Sequence, residues 1–184
     1  MNLALTSYWH RLLYRTHQFW HYLGWASAPP DLEKAYSVLN PKQMVLFDQM
    51  HTTEKLHCLN VLDKLMRAGE TQPDLLVAAL LHDVGKVKSP PRLWERVLIV
   101  LGKAFLPHQV KAWEAGPPTG RSRWKKTFAI AAQHPMWGAE IATEAGTSPL
   151  TTALIRRHQE ALPGQPRTAE EQLLRKLQQA DGVE

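Results

Sequence analysis

Residues 80–86 of the chain read LLHDVGK, in which a histidine and an aspartate directly follow an apolar run. The run begins upstream at Leu75, so the pair stands at the end of a segment whose composition indicates a buried helix. A polar side chain is costly to bury unless it finds a partner in the interior. We therefore expect His82 and Asp83 to have such a partner, and the rest of the sequence indicates what it is.

Apolar residues around this stretch recur every three or four positions, as in Leu56, Leu59 and Leu62 and again in Leu150 and Leu154. This spacing is typical of one helix face, and no segment shows the period of two that predicts a strand. The predicted fold class is all-α, a single helical bundle. Helices are predicted at 3–23, 31–39, 41–68, 73–83, 90–105, 123–133, 136–145, 149–160 and 169–181.

Four helix starts carry recognisable capping residues. Three of them place a capping side chain before a proline, a pair suited to the first turn: Asn40-Pro41, Ser89-Pro90 and Ser148-Pro149. Thr168 and Glu171 have the spacing of a capping box. The clearest predicted loop is EAGPPTGRS at 114–122.

The overall composition indicates one ordinary domain, since the chain has 184 residues and 44% of them are apolar. We expect a helical extension at 1–30 and the main domain at 31–184. A single cysteine excludes an internal disulfide framework and fits a reducing compartment. Since no apolar run approaches the roughly 18 residues of a membrane span and no secretory leader is recognisable, a cytoplasmic location is predicted.

The net charge of +5 is moderate, and much of it comes from Lys86 and Lys88 and from the basic residues at 121–126. Such groups attract phosphorylated small molecules or nucleic acid, or are simply solvated. Nucleic-acid binding is not expected, because no basic motif interleaved with aromatic residues is present.

The first 25 residues combine Trp9, Trp20 and Trp25 with Arg11 and Arg15, and they predict an amphipathic helix. Such a helix either lies on a membrane surface or packs on the domain or on a second subunit. Packing is the favoured reading, since aromatic stripes at helical spacing usually become buried. The sequence does not determine the oligomeric state.

Histidines and aspartates stand on, or at the ends of, separate predicted helices beside aliphatic residues. These residues are His57, His82, Asp83, His134, His158 and Asp181. A lone histidine there is usually a hydrogen-bonded core residue, but several that face one interior repel when protonated and lack partners when neutral. A shared divalent cation removes both problems. Their nitrogen and oxygen donors suit iron, manganese, nickel, cobalt or zinc, and a helical bundle can hold such a site.

The order H…HD…H…H…D resembles the HD-domain superfamily of metal-dependent phosphohydrolases, in its HDIG-like branch. The resemblance covers about residues 45–181 and includes HCLNVL, HDVGK, HPMWGAEI and IRRHQE in family order. It implies two divalent transition metal ions. One would be bound by His57, His82, Asp83 and Asp181, and the other by His134, His158 and the shared Asp83.

The resemblance also implies the chemistry, which is cleavage of a phosphoester or phosphoanhydride in a phosphorylated, nucleotide-like small molecule by a metal-activated water. Asp83 would hold both ions, and Lys86 would either orient Asp83 or neutralise a substrate phosphate. Arg156 or Arg157 would contact a substrate phosphate. Two alternatives stay open, a non-catalytic nucleotide-binding or regulatory module and a di-iron oxygenase.

The sequence departs from one branch of this superfamily, the HD-GYP phosphodiesterases, which carry HHExxDGxGYP. The corresponding stretch here, 158–164, reads HQEALPG, with Gln159 in place of the second histidine and no GYP element. Cyclic di-GMP is therefore not an expected substrate, and the ligand pattern is closer to that of HD-type diadenosine tetraphosphate hydrolases. Because Asp181 stands near the end of the sequence, the last helix must dock to hold it, and its leucines at 173, 174 and 177 supply an apolar face.

Overall fold

The computed structural model describes residues 32–116 and 122–182, apart from the side chains of Leu93 and Arg123. Within these ranges the chain is helical and contains no strand, which confirms the all-α class. The helices are α1 (Glu33–Val38), α2 (Pro41–Gln49), α3 (Thr52–Arg67), α4 (Pro73–Leu81), a 3₁₀ helix (Val84–Lys88), α5 (Leu93–Phe105), α6 (Pro107–Glu114), α7 (Arg123–Glu144), α8 (Pro149–Arg157) and α9 (Ala169–Asp181). The amphipathic helix predicted at 3–23 lies outside the described residues.

The chain divides into two compact units. Of the described residues, the larger unit contains 32–90 and 133–182, and the smaller unit contains 91–116 and 122–132. The second boundary falls inside α7, between Ala132 and Gln133. The predicted division at residue 30 stays a prediction, because it depends on residues outside the described ranges.

Helix α4 is the centre of the larger unit. Its sequence, PDLLVAALL, is apolar on every side, which is typical of a helix with no solvent-facing side. It packs against α1, α3, α8 and α9. Leu75, Leu80 and Leu81 are fully buried, and each such side chain stabilises the fold by about 1.5–3 kcal/mol.

Helix α9 docks on the larger unit, as its apolar face predicts. Leu174 and Leu177 are fully buried against the core. Lys64 of α3 donates a hydrogen bond to the carbonyl of Ala180 at 2.7 Å, and Gly182 ends the helix with a positive φ of 84°. The last turn, which carries Asp181, is therefore held on both sides.

Three of the four predicted capping motifs are present. Asn40 and Gln43 form a capping box at α2, and Thr168 and Glu171 form one at α9. The Ser148 hydroxyl accepts a hydrogen bond from the Thr151 amide at the start of α8. Such caps each contribute about 1 kcal/mol.

The helix start predicted at Ser89-Pro90 is wrong, because α5 begins at Leu93. Pro91 follows Pro90 directly, and a residue before proline avoids the helical region, so no helix can start at Pro90. Ser89 instead closes the 3₁₀ helix, with its amide bonded to the carbonyl of Lys86. The Glu95 carboxylate accepts from the Arg92 amide at 2.7 Å and begins α5 there.

Two other predicted boundaries are also wrong. The segment 41–68 is broken at Met50 and His51, where the backbone is extended and the His51 ring caps α3 by accepting from the Thr53 amide. Conversely, α7 continues through Pro135, where a break was predicted. An interior proline costs about 3 kcal/mol, and burial of Ala139 and Ala142 beyond it contributes part of what opposes that cost.

The smaller unit has its own apolar centre at Phe128 and Val110, both almost fully buried. Helix α5 approaches it through Gly102, where an added Cβ would lie 2.5 Å from the Phe128 ring. Helix α6 is an addition to the predicted set and starts with Pro107 in its first turn. None of the helices in the described part of the chain has the length and apolar composition needed to cross a bilayer.

Candidate metal centre

The six residues singled out by the sequence come together in the larger unit. Five helices supply them, so residues far apart in the chain meet at one place. They are His57 of α3, His82 and Asp83 at the end of α4, His134 of α7, His158 at the end of α8 and Asp181 of α9. His57 and Asp181 are the most exposed of the six, with 15% and 11% of their side-chain surface accessible, and the other four expose 4% or less.

One group consists of His57, His82 and Asp181. The Nε2 atoms of the two histidines are 3.2 Å apart. Asp181 Oδ1 lies 2.7 Å from Nε2 of His57 and 3.6 Å from Nε2 of His82. Three donor atoms from three helices therefore converge on one point.

A second group consists of His134 and His158, whose Nε2 atoms are 3.3 Å apart. Asp83 lies between the two groups. Its Oδ1 is 3.2 Å from Nε2 of His134 and 3.9 Å from that of His158. Its Oδ2 is 3.7 Å from Nε2 of His82 and 4.0 Å from that of His57. Each carboxylate oxygen thus faces one pair of imidazoles.

Backbone carbonyls fix which ring nitrogen faces the centre. Nδ1 of His82 is 3.0 Å from the carbonyl of Ala79, and Nδ1 of His158 is 2.8 Å from that of Ile155. A carbonyl only accepts, so Nδ1 carries the hydrogen and, in the neutral ring, Nε2 presents its lone pair to the centre. This is the tautomer that a metal ligand requires.

The spacing of these lone pairs fits a shared cation. Two imidazole nitrogens about 2.1 Å from one ion are separated by about 3.0–3.4 Å in octahedral or tetrahedral geometry. The two Nε2 to Nε2 distances, 3.2 and 3.3 Å, fall inside that interval. The residues present therefore fit a bound divalent cation, and the number of ions and the individual ligand assignments stay predictions.

His82 and His158 have opposite pKa shifts. Burial alone lowers the pKa of His82, but Cys58, Asp83 and Asp181 together raise that pKa well above its usual value. Burial lowers the pKa of His158 to about 3, and the charges on His82 and His134 add to this effect. A metal that binds His82 must therefore displace a proton from its ring, whereas the lowered pKa of His158 leaves that ring without one to displace.

Both carboxylates of the centre are ionised. Burial opposes ionisation of Asp83, but Lys86 and then His82 and His134 hold its pKa well below the usual range. Burial likewise opposes ionisation of Asp181, and the neighbouring His82 and His57 hold its pKa well below the usual range. The centre therefore offers anionic oxygen donors at neutral pH.

Lys86, on the 3₁₀ helix, contacts the centre through Asp83. Its Nζ lies 2.6 Å from Asp83 Oδ2 and 3.5 Å from Oε2 of Glu54, a buried residue of α3. The sequence left two roles for Lys86, to orient Asp83 or to neutralise a substrate phosphate. This contact favours the first. The lysine is also partly exposed, with 23% of its side-chain surface accessible.

The two arginines before His158 have different surroundings. Arg157 donates to Glu160 at 2.8 Å and also pairs with Glu170, so its guanidinium is held within the protein. Arg156 is exposed. Their substrate-binding roles stay predictions, with Arg156 the less constrained of the two.

A pair of glycines, which sequence reasoning did not assign to the centre, sets the spacing between Asp83 and His134. A Cβ on Gly85 would lie 2.0 Å from the carbonyl oxygen of His134, and one on Gly138 would lie 3.2 Å from the amide nitrogen of Gly85. The φ of Gly85 is not positive, so its role is close packing and not an unusual backbone conformation. A signal was present, because Gly138 stands four residues after His134 and so shares its helix face.

Gln178 is a second residue that the sequence reasoning missed. It is buried on α9 and donates to the carbonyls of His158 at 3.1 Å and Glu160 at 2.7 Å. It thereby provides hydrogen-bond donors for backbone carbonyls at the end of α8, beside the His158 ring. Its position three residues before Asp181, on the same helix face, was the available sequence signal.

Comparison with known proteins supports the same assignment. The HD domain family matches residues 56–184, more than two thirds of the chain, and the match contains all six residues of the centre. No curated protein and no solved structure gives a significant match. The chain therefore belongs to the HD domain family, whose members are metal-dependent hydrolases.

Proposed function

We propose that the chain is a metal-dependent phosphohydrolase with a binuclear centre that cleaves a phosphoester or phosphoanhydride of a nucleotide-like substrate. The observation that carries the proposal is the position of Asp83, whose two carboxylate oxygens face different histidine pairs. A carboxylate in that position can bridge two cations, and paired cations are typical of enzymes that displace groups at phosphorus.

The ligand set favours this chemistry. Four imidazoles and two carboxylates suit iron, manganese, nickel, cobalt or zinc. When bound, such ions lower the pKa of a coordinated water and polarise phosphoryl oxygens. The protein contributes the fixed Nε2 lone pairs, the shared carboxylate and the positive charge of Lys86.

Lys86 has a positioning role in this proposal. Its ammonium lies against the same Asp83 oxygen that faces His82 and His57, so it restricts rotation of the carboxylate. Its exposed part, together with the exposed Arg156, supplies positive charge for a phosphorylated substrate. The nucleotide part of the proposal comes from the family resemblance.

The first experiment measures metal content by elemental analysis in the purified protein, in Asp83→Ala and in the control Asp63→Ala. Asp63 is on α3 and pairs with Lys34 away from the centre. We expect about two ions per chain in the wild type and the control, and almost none in Asp83→Ala, because the variant removes a ligand from both positions. Hydrolysis of bis(p-nitrophenyl) phosphate with manganese is then measured on the same three proteins.

The outcomes separate the candidate functions. Two ions with phosphodiester hydrolysis that Asp83→Ala abolishes support the proposal. Tight nucleotide binding without hydrolysis supports the regulatory module instead, and iron-dependent oxygen uptake supports the di-iron oxygenase. A wild-type protein that binds no metal after incubation with manganese or ferrous iron contradicts all the metal-dependent functions.

A further inference from the structure

One row of large apolar side chains lies exposed on the smaller unit. Val97, Leu101 and Phe105 follow each other at intervals of four on α5 and share one helix face. Their exposed fractions are 37%, 45% and 65%, and Trp94, three residues before Val97, is 43% exposed. We name these four residues the α5 stripe. A contiguous patch of exposed apolar side chains marks an interaction surface for a protein or a membrane.

The positive charge of the chain is concentrated in the same segment. Residues 91–132 contain eight lysines and arginines and two acidic residues, a formal charge of +6. Residues 32–90 and 133–182 contain twelve basic and thirteen acidic residues, a formal charge of −1. The segment that carries the exposed apolar row is therefore also the basic part of the protein.

The distribution on α5 itself is that of an interfacial helix. Arg96 and Lys103 each stand two positions after a member of the stripe, which places them on the opposite side of the helix, where Lys103 pairs with Glu114 at 3.2 Å. Tryptophan, phenylalanine and leucine on one face with lysine and arginine on the other are typical of helices that lie in the plane of a bilayer surface. Anionic lipids attract basic residues near the bilayer surface at about 1 kcal/mol each, and the net charge of +6 on residues 91–132 favours such attraction.

Other occupants of the stripe are less compatible with these charges. Two copies joined face to face would bring two segments of charge +6 together, and the resulting repulsion opposes association. Residues 1–31 carry a formal charge of only +1, and coverage of the stripe by them is one outcome of the test below. We propose that the smaller unit docks through the α5 stripe on the surface of an anionic phospholipid bilayer, without crossing it.

The test uses a fluorescent label on the stripe of the whole 184-residue chain, loaded with metal. Cys58, the single cysteine of the chain, is fully buried, so a thiol introduced at the surface is labelled selectively. Phe105→Cys carries the environment-sensitive label NBD on the stripe, and Tyr36→Cys carries it at a 62% exposed site of the larger unit as the control. Vesicles are pure phosphatidylcholine or contain about 30% phosphatidylglycerol.

We expect the Phe105→Cys label to brighten severalfold and shift to the blue with the anionic vesicles, and the Tyr36→Cys label to stay unchanged. The response should weaken in about 0.5 M salt, because salt screens the attraction to anionic lipid. No response to anionic vesicles, or an equal response from both labels, contradicts the proposal. So does a label already blue-shifted without vesicles: a second copy covers the stripe if the shift depends on protein concentration, and residues 1–31 cover it if it does not.

Unlabelled variants give an independent measurement by cosedimentation with the same vesicles. Leu101→Ser with Phe105→Ser should lower the partition coefficient on anionic vesicles about tenfold, since it removes two apolar side chains from the interface. The matched control, Tyr36→Ser with Val45→Ser, changes two exposed residues of the larger unit and should leave binding unchanged. Equal binding by both double variants would contradict the stripe as the docking surface.

Discussion

Helices α4 and α8 are built alike and end at the same place. Each has nine residues, begins with a capping side chain and a proline, and ends at a histidine. Their starts are joined, because the hydroxyls of Ser148 and Thr151 on the α8 side donate to the carboxylate of Asp74 in α4. Their ends meet as well, with the ring centres of His82 and His158 5.1 Å apart.

The two histidines nevertheless have opposite pKa shifts. Both are buried, and both bond through Nδ1 to the carbonyl three residues earlier. The pKa of His82 is raised by its acidic neighbours despite burial, whereas burial and the neighbouring histidines lower the pKa of His158 to about 3. Local construction thus fixes where each imidazole points, and residues from other helices decide whether it carries a proton.

Of the changes predicted here, separate replacement of His82 and His158 should have the largest effect. We expect His158→Ala to retain about one ion per chain, because the group that keeps His57, His82 and two carboxylates has the stronger attraction for a cation. His82→Ala should retain less than one, and both variants should lose at least about a hundredfold in phosphodiester hydrolysis, more than a typical outer-shell change costs. Elemental analysis and steady-state rates measure both quantities.

Equal metal content in the two variants would show that the asymmetry of the centre is not electrostatic. His51→Ala is the control, because His51 caps α3 outside the centre. It should leave the metal content at the wild-type value and affect only stability.

The next largest effect is expected from Gly85 and Gly138, the glycine pair at which the 3₁₀ helix contacts α7. Gly85→Ala places a methyl group 2.0 Å from a backbone oxygen, so the 3₁₀ helix must move away from α7. We expect a loss of about 1–3 kcal/mol in the free energy of unfolding and a lower metal content, because Asp83 and His134 separate. Denaturant unfolding and elemental analysis give the two values.

Gly138→Ala is the matched variant on the other side of the same contact. Its nearest neighbour would be 3.2 Å away, a distance that small shifts can relieve. Its losses should be clearly smaller than those of Gly85→Ala. If the two variants behave alike, close approach of the backbones does not set the spacing of the centre.

The smallest effect is expected at the hydrogen bonds that connect the start of α8 to Asp74 at the start of α4. The hydrogen bond from Ser148 holds the pKa of Asp74 below its usual value, with further hydrogen bonds from Gln72 and Thr151. Asp74→Asn should therefore lower the free energy of unfolding by about 1–2 kcal/mol at neutral pH. Because the folded-state pKa is depressed, this contribution is present above the unfolded value of about 3.9 and disappears as the pH falls below it.

Chemical denaturation of wild type and Asp74→Asn between neutral and acidic pH measures this difference. Asp63→Asn is the control, since its partner Lys34 is exposed and such a surface pair contributes at most about 1 kcal/mol. A difference between wild type and Asp74→Asn that persists unchanged at the acid end contradicts the role of the ionised carboxylate.

Sequence reasoning reached the helical class because that class depends on short-range periodicity. It also singled out six residues that the structure brings together, whereas their role as metal ligands stays a prediction. The spacing of leucines defines helix faces, and the order of histidines and aspartates identifies the family. The positions at which helices begin and end depended on other factors. Pro135 does not end α7, because burial of the flanking residues outweighs local preference, and Pro91 delays α5 through its effect on Pro90.

The contacts of Lys86, Gly85 and Gln178 could not be predicted in the same way. Each depends on which backbone atoms from a distant part of the chain come within reach. Sequence periodicity describes one helix at a time and contains no information on those pairings. Sequence periodicity cannot predict the pKa shifts of His82 and His158 for the same reason.

The glycine contact has a further consequence for how this protein can evolve. It brings the chain just before residue 90 against the chain just after residue 133, and Lys88 pairs with Glu140 across the same place at 3.4 Å. The intervening segment therefore leaves and returns at neighbouring points of the larger unit. Closing such an excursion costs only about 0.6 kcal/mol more for each doubling of its length. Natural selection can lengthen, shorten or exchange the segment between these points while the residues of the candidate metal centre stay under separate constraint.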